Sequence, residues 1–300
     1  MTIEATEEQS PMPGNGLSLP AFSLVMPETD ERPLIFASPH SGREYPDHFR
    51  NSLRVPLLDL KQTEDAYVDE LFANAPLYGA RLLKATYARS FVDLNRDPRE
   101  IDASMFHGDP PGPVAAPTVR VEAGLGCFPR IGARGEFIYA KKLDPADGRA
   151  RLDFVHTPYH AALSGEIAAL RQKHGCAILI DCHSMPSTQP GRPDLPDFVL
   201  GDRFGSSCTG QLTGLVERTL RKAGYSVVRN APYAGGFTTR KYGRPKQHVH
   251  ALQIEIFDFT LSDLRVQLAH EVLELVELET SVPRGVEECE ELLRWWQTHL

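Results

Sequence analysis

Three polar clusters interrupt apolar runs at points where strands should end: Pro39-His40-Ser41-Gly42, Asp181-Cys182-His183-Ser184 and Gln253-Ile254-Glu255-Ile256. Two histidines and a carboxylate at the ends of different strands, far apart in sequence, can hold a divalent metal beside a general base. His40 and His183 each follow an apolar run and precede a small residue, which leaves room for an ion. Lone histidines on helical stretches, such as His156, His160, His174 and His270, are read as structural or exposed. A third ligand should be a carboxylate, and Glu44, Glu64, Asp65 and Asp181 are the candidates. Glu64 and Asp65 are adjacent, so only one of them can face an ion. Two neutral imidazoles and one carboxylate leave zinc an open position, where water acquires a pKa of about 7. Asp181 also suits a supporting role, orienting a histidine through its second ring nitrogen.

Glu255 is anomalous between Ile254 and Ile256. In a half-exposed strand it would face water, whereas in a buried strand a carboxylate is costly unless it is paired or near a metal. General base is the sharper reading. Arg89 and Arg96 bracket the run Phe91–Leu94, and a guanidinium fork suits both a scissile carbonyl and a substrate carboxylate. Surface ion pairs with Asp93, Asp97 or Glu100 are the plainer alternative. Further on, Gly235 and Gly236 permit close backbone approach, and Thr238, Arg240 and Tyr242 add polar contacts.

The elements that must carry these residues follow from hydrophobic periodicity. Strands are expected at Pro33–Ser38, Ala80–Thr86, Ser90–Leu94, Cys176–Asp181, Asp197–Gly201, Tyr225–Arg229 and His250–Phe257. A helix is expected from Thr63, as N-cap, to about Pro76. A second starts at Thr157-Pro158, buries Tyr159, Leu163, Ile167 and Leu170, and ends at Gly175. A third carries Leu212, Leu215, Val216 and Leu220 and stops at Gly224. Residues 102–135 and 230–247 are expected to be long loops, and two amphipathic helices should follow Thr260. Alternating strands and helices imply an α/β sandwich with the site at the strand ends.

The chain has 300 residues, 41% hydrophobic and 24% charged, enough for one substantial core. Residues 1–20 are expected to form a flexible acidic tail, with Glu4, Glu7 and Glu8, before one domain over 21–300. The net charge of −8 argues against a nucleic-acid or anionic-membrane partner. No run reaches the roughly 18 apolar residues of a membrane span. Cys127, Cys176, Cys182, Cys208 and Cys289 are odd in number and widely spaced, as reduced thiols in a cytoplasmic protein would be. A monomer or small homo-oligomer is expected, with adjacent Trp295 and Trp296 available to dock on the core or on a second subunit.

Taken in order, Pro39-His40-Ser41-Gly42, Asp65 with Asp69-Glu70-Leu71, Asp93-Leu94-Asn95-Arg96, Pro158-Tyr159-His160-Ala161-Ala162-Leu163, Asp181-Cys182-His183-Ser184, Gly235-Gly236, Thr239-Arg240 with Tyr242-Gly243, and Gln253-Ile254-Glu255 resemble the N-formylglutamate amidohydrolases over residues 33–258. The resemblance implies a three-layer αβα fold with a mixed central sheet, similar to the zinc carboxypeptidase and aspartoacylase group. It implies His40, Asp65 and His183 as zinc ligands and Glu255 as general base. Arg89 would polarise the formyl carbonyl, Asn95 and Arg96 would bind one carboxylate of a small dicarboxylate substrate, and Arg240 the other. The reaction so implied is hydrolysis of N-formyl-L-glutamate to formate and L-glutamate, in histidine degradation. Alternatives are a related zinc amidase for another N-acyl amino acid or small peptide, and a non-catalytic anion-binding module, which would have no use for a base. One departure stands out: the related carboxypeptidases place a glutamate ligand three residues after the first histidine, where this chain has Arg43.

Overall fold

The computed structural model describes residues 17–185 and 195–257. The first sixteen residues of the expected tail, and the expected helices after Thr260 with Trp295 and Trp296, lie outside the described residues. Seven strands form one sheet: β1 (Phe22–Val25), β2 (Leu34–Ser38), β3 (Arg81–Ala85), β4 (Ala177–Met185), β5 (Phe198–Gly201), β6 (Val227–Arg229) and β7 (Val249–Phe257). Their order is β1-β3-β2-β4-β7-β5-β6. β3, β2, β4 and β7 run parallel, whereas β1 and β5 pair antiparallel to β3 and β7, so the sheet is mixed. All five residues of β2 are buried, because a central parallel strand is covered on both faces.

Side-chain alternation divides the core into two layers. On one face Ile35, Ala37, Leu83, Ala177, Leu179 and Ala251 pack against Tyr159, Leu163, Ile167 and Leu170 of the helix Thr157–His174. On the other, Phe36, Leu82, Ile180, Leu200, Leu252 and Ile254 meet Val68, Phe72, Val216 and Leu220, the last two from the helix Gly210–Lys222. Helices on both faces make this an α/β three-layer arrangement. The alternation has a consequence for chemistry. Continuing along the first face, β4 presents Asp181 and His183 and β7 presents Gln253 and Glu255, in the register Asp181↔Gln253 and His183↔Glu255.

Five expectations are corrected. His183 lies inside β4 rather than beyond it, because β4 and β7 pair residue for residue through Met185↔Phe257. Ser90–Leu94 is a series of turns, with the Phe91 N–H bonded to the Ala88 carbonyl; its apolar run enters the core as loop, Phe91, Val92 and Leu94 being fully buried. The helix expected from Thr63 breaks into Val68–Leu71 and a 3-10 turn at Ala75–Tyr78. Thr63 donates its hydroxyl to the Leu60 carbonyl instead of capping, and Tyr67 sits at φ +64°. The cause is a tether, since the Asp65 N–H bonds the His40 carbonyl at 3.1 Å. Thr157 is no helix start either. Asp144 caps a helix at Pro145–Arg151, which continues through a π turn at Leu152–His156 into Thr157–His174. The wide turn ends just before Pro158, whose nitrogen has no hydrogen to donate. Finally, residues 230–247 contain the helix Phe237–Tyr242. Gly175 and Gly224 do end their helices, at φ +76° and +98°.

Candidate metal centre

β2 ends at Ser38, and the chain turns so that His40 faces the end of β4. Gly42 makes that turn possible: a Cβ there would stand 2.1 Å from the Tyr87 carbonyl oxygen. Ser41 accepts a hydrogen bond from the Asp69 N–H and donates one to the Asp65 carbonyl, both at 3.2 Å. Together with the His40–Asp65 backbone bond, these contacts deliver the Asp65 carboxylate to the same point.

His40, Asp65 and His183, all buried, offer three ligand atoms within 4.8 Å of one another. Asp65 Oδ2 lies 2.8 Å from His183 Nδ1 and 3.3 Å from His40 Nδ1. Carboxylates stand behind the far ring nitrogens: Asp93 Oδ1 is hydrogen-bonded to His40 Nε2 at 2.7 Å, and Asp181 Oδ1 lies within ion-pair distance of His183 Nε2, at 3.2 Å. Carboxylates behind inward-facing imidazoles are the usual support of metal-ligating histidines. His40 Nδ1 has no hydrogen-bond partner despite its burial. Asp65, Asp93 and Asp181 are three buried carboxylates; Arg89 pairs with the first two and Arg96 also acts on Asp93, which leaves net negative charge when both imidazoles are neutral. An orphaned ligand atom and uncompensated buried negative charge both fit a divalent cation.

The electrostatics agree. Burial alone would raise the Asp65 carboxyl, but His40, His183 and Arg89 hold it well below the usual range. Burial likewise opposes charge on His183, yet Asp181 and Asp65 push its pKa well up, so a proton occupies the place that a cation would take. Glu255 stands apart. Burial raises it to about 8, helped by Asp65 and Asp181 and opposed by His183 and Arg89. Its Oε1 accepts from Gln253 Nε2 at 2.7 Å, and Gln253 Oε1 in turn accepts the Gly236 N–H at 2.8 Å.

Arg89 is no surface residue, for its two terminal nitrogens reach Asp65 and Asp93, each at 3.2 Å. The Asn95 amide is engaged at both ends. Nδ2 lies 3.0 Å from His183 Nε2, and Oδ1 accepts the Thr238 N–H at 2.9 Å. Gly236 approaches Asn95 so closely that a Cβ would fall 2.5 Å from its amide. Arg96 is tied to the Leu125 and Asn95 carbonyls, both at 2.9 Å. Arg240 is half exposed, 3.9 Å from Asp97. Among the other candidate carboxylates, Glu64 accepts from the Tyr45 hydroxyl at 2.6 Å and Glu44 pairs with Tyr87 in a β-bridge. Arg43 turns outward to Asp69 and Glu70. In the sequence Asp93 stands as an ion-pair partner and as the first residue of Asp93-Leu94-Asn95-Arg96, and Gln253 as part of a motif; the contacts that Asp93 makes with His40 and Gln253 with Glu255 appear only in the structure.

The profile of the N-formylglutamate amidohydrolases matches residues 32–258. The chain belongs to this family. N-formylglutamate deformylase of Pseudomonas aeruginosa is 36% identical over 268 residues, covering 88% of this chain and 93% of that protein. The N-formylglutamate deformylase of Pseudomonas putida is 33% identical over 233 residues, covering 76% and 81%. The crystal structure of N-formylglutamate amidohydrolase from Ralstonia eutropha JMP134 superposes with a TM-score of 0.80 at 35% identity, covering 87% of this chain and 98% of that one. The gene product Atu2144 of Agrobacterium tumefaciens, 19% identical with a TM-score of 0.63 over 87% of this chain and 94% of that one, shares the fold. The matched span ends just after β7, and so takes in every residue of the centre described above.

Proposed function

We propose that the chain hydrolyses the formamide bond of N-formyl-L-glutamate, with one divalent metal held by His40, Asp65 and His183. The observation that carries this reading is the buried convergence of those three ligand atoms beside Glu255. The mixed nitrogen and oxygen donor set suits zinc. A divalent cation there would supply Lewis acidity to the formyl oxygen and to water.

The protein's own groups do the rest. Glu255 takes a proton from the attacking water and passes one to the departing amine nitrogen, so that the C–N bond breaks as glutamate leaves and formate remains. Burial and the neighbouring carboxylates raise its affinity for a proton, and a cation held by the trio would bring it back down towards the ionised form that accepts one. Arg89 lends positive charge to the developing oxyanion. Asn95 accepts the Thr238 N–H and so fixes the start of the helix Phe237–Tyr242, between Arg96 and Arg240, which take the substrate carboxylates. The proposed setting is histidine degradation in the cytoplasm. In support, the four described cysteines, Cys127, Cys176, Cys182 and Cys208, are free and buried, as in a reducing compartment.

Product release from N-formyl-, N-acetyl- and peptidyl-glutamate tests the reading. One added methyl should lower kcat/KM by about 10- to 200-fold. Faster turnover of the acetyl or peptidyl substrate would instead favour an amidase of different specificity.

A further inference from the structure

Leu94, Asn95 and Arg96 lie outside the sheet, so no neighbouring strand supplies donors for their three carbonyls. Side chains meet all three. His160 Nε2 lies 2.8 Å from the Leu94 oxygen, Arg96 Nη1 donates to the Asn95 oxygen at 2.9 Å, and His156 Nε2 lies 3.0 Å from the Arg96 oxygen. A carbonyl can only accept, so each imidazole must carry its proton on Nε2. His160 Nδ1 is then an acceptor, 2.9 Å from the Tyr242 hydroxyl, whose one proton it shares with the His160 carbonyl at 3.0 Å. Tyr242 closes the helix Phe237–Tyr242, which bears Arg240 and, at its start, the Thr238 N–H bonded to Asn95.

The two rings are a matched pair. They sit one helical turn apart with centroids 4.5 Å from each other, His156 at the end of the π turn, and Phe237 packs against both. Burial pushes His156 down to about 4 and His160 well below the usual histidine range, so both are neutral donors at neutral pH. Neither belongs to the metal trio.

We propose that His156 and His160 are positioning residues that set the separation of Arg96, through its backbone, and Arg240, through Tyr242, and thereby the affinity for a small dicarboxylate, without joining the bond-breaking step. The inference rests on the proposed role of those arginines as the carboxylate clamp.

Four variants test it: His156→Phe and His160→Phe, which keep a ring but lose the donor, and His156→Gln and His160→Gln, which keep an N–H. With metal content and melting temperature monitored, the Phe variants should raise KM for N-formylglutamate, and Ki for the product L-glutamate, at least tenfold. kcat should change less than threefold, and the Gln variants should recover most of the loss. Equal KM values in the Phe and Gln variants, or a loss confined to kcat, would overturn the proposal. If the Phe variants do not fold, imidazole 15N shifts in the wild-type protein decide, since protonation of either ring on Nδ1 alone contradicts the brace. Absence of formate release by the wild type would defeat the substrate reading instead, and leaves the nitrogen shifts to judge the brace.

Discussion

Glu255 and Asp93 are both buried carboxyls, and their surroundings send them in opposite directions. Burial opposes charge on each, but His40, Arg96 and Arg89 outweigh it at Asp93 and hold that group well below the usual range, whereas Glu255 is raised to about 8. The one that keeps a high proton affinity suits proton transfer, and the one that stays ionised suits holding a histidine. Glu255→Gln should therefore lower kcat for formate release by about 10²- to 10⁴-fold while elemental analysis shows metal still bound. Asp93→Asn should act on the metal instead, weakening its affinity by about 10- to 100-fold, as read by competition with a chelator. At this scale His40, His183 and Glu255 were legible because each interrupts an apolar run. Which carboxylate meets which ring was not, since Asp65 and Glu64 differ only in where a tether between two loops turns them. Asp93 was hidden in a segment whose apolar residues suggested a strand.

The elements that serve the site are held by close approaches and by one ion-pair hub. Gly42 packs its α-carbon against the Tyr87 carbonyl, so Gly42→Ala should cost about 2 kcal/mol or more, in line with other overpacked sites, and lower the urea midpoint. Glu31 bonds Lys173 and His174 of the helix Thr157–His174 and Arg81 of β3, fastening helix to sheet. Burial would raise its carboxyl, but Lys173, Arg81 and His174 outweigh it and bring it down to about 2, from an ordinary 4.5. Between those values the unfolded chain binds more protons than the native one, so this contribution is complete above about pH 4.5 and is lost as pH falls towards 2. Glu31→Gln should lower the melting temperature at pH 7 and make it flatter between pH 5 and 2. Strands buried on both faces were readable as apolar runs, and helix ends at Gly175 and Gly224 as glycine signals. Thr157-Pro158 misled because a proline after a π turn imitates the opening of a helix.

Across the whole molecule, the parallel central strands β2, β4 and β7 bring His40, His183 and Glu255 from sequence positions far apart towards the carboxyl ends of one sheet. Strand alternation then decides that His183 and Glu255 share a face with Asp181 and Gln253. That much of the architecture followed from pattern alone, because both layers of the sandwich need apolar strand faces and the polar exceptions fall together. Among the described residues no helix is long and apolar enough to cross a membrane. The order of β5 and β6 beyond β7 depends on long connections that carry no such periodicity. On the proposed function, His40, Asp65 and His183 would together hold the one cation that hydrolysis requires. Formate release from N-formylglutamate, measured as metal is returned stepwise to chelator-stripped protein, tests it most directly. Activity should be absent at the start and rise to a plateau at one equivalent, whereas full turnover by the metal-free chain would contradict the account.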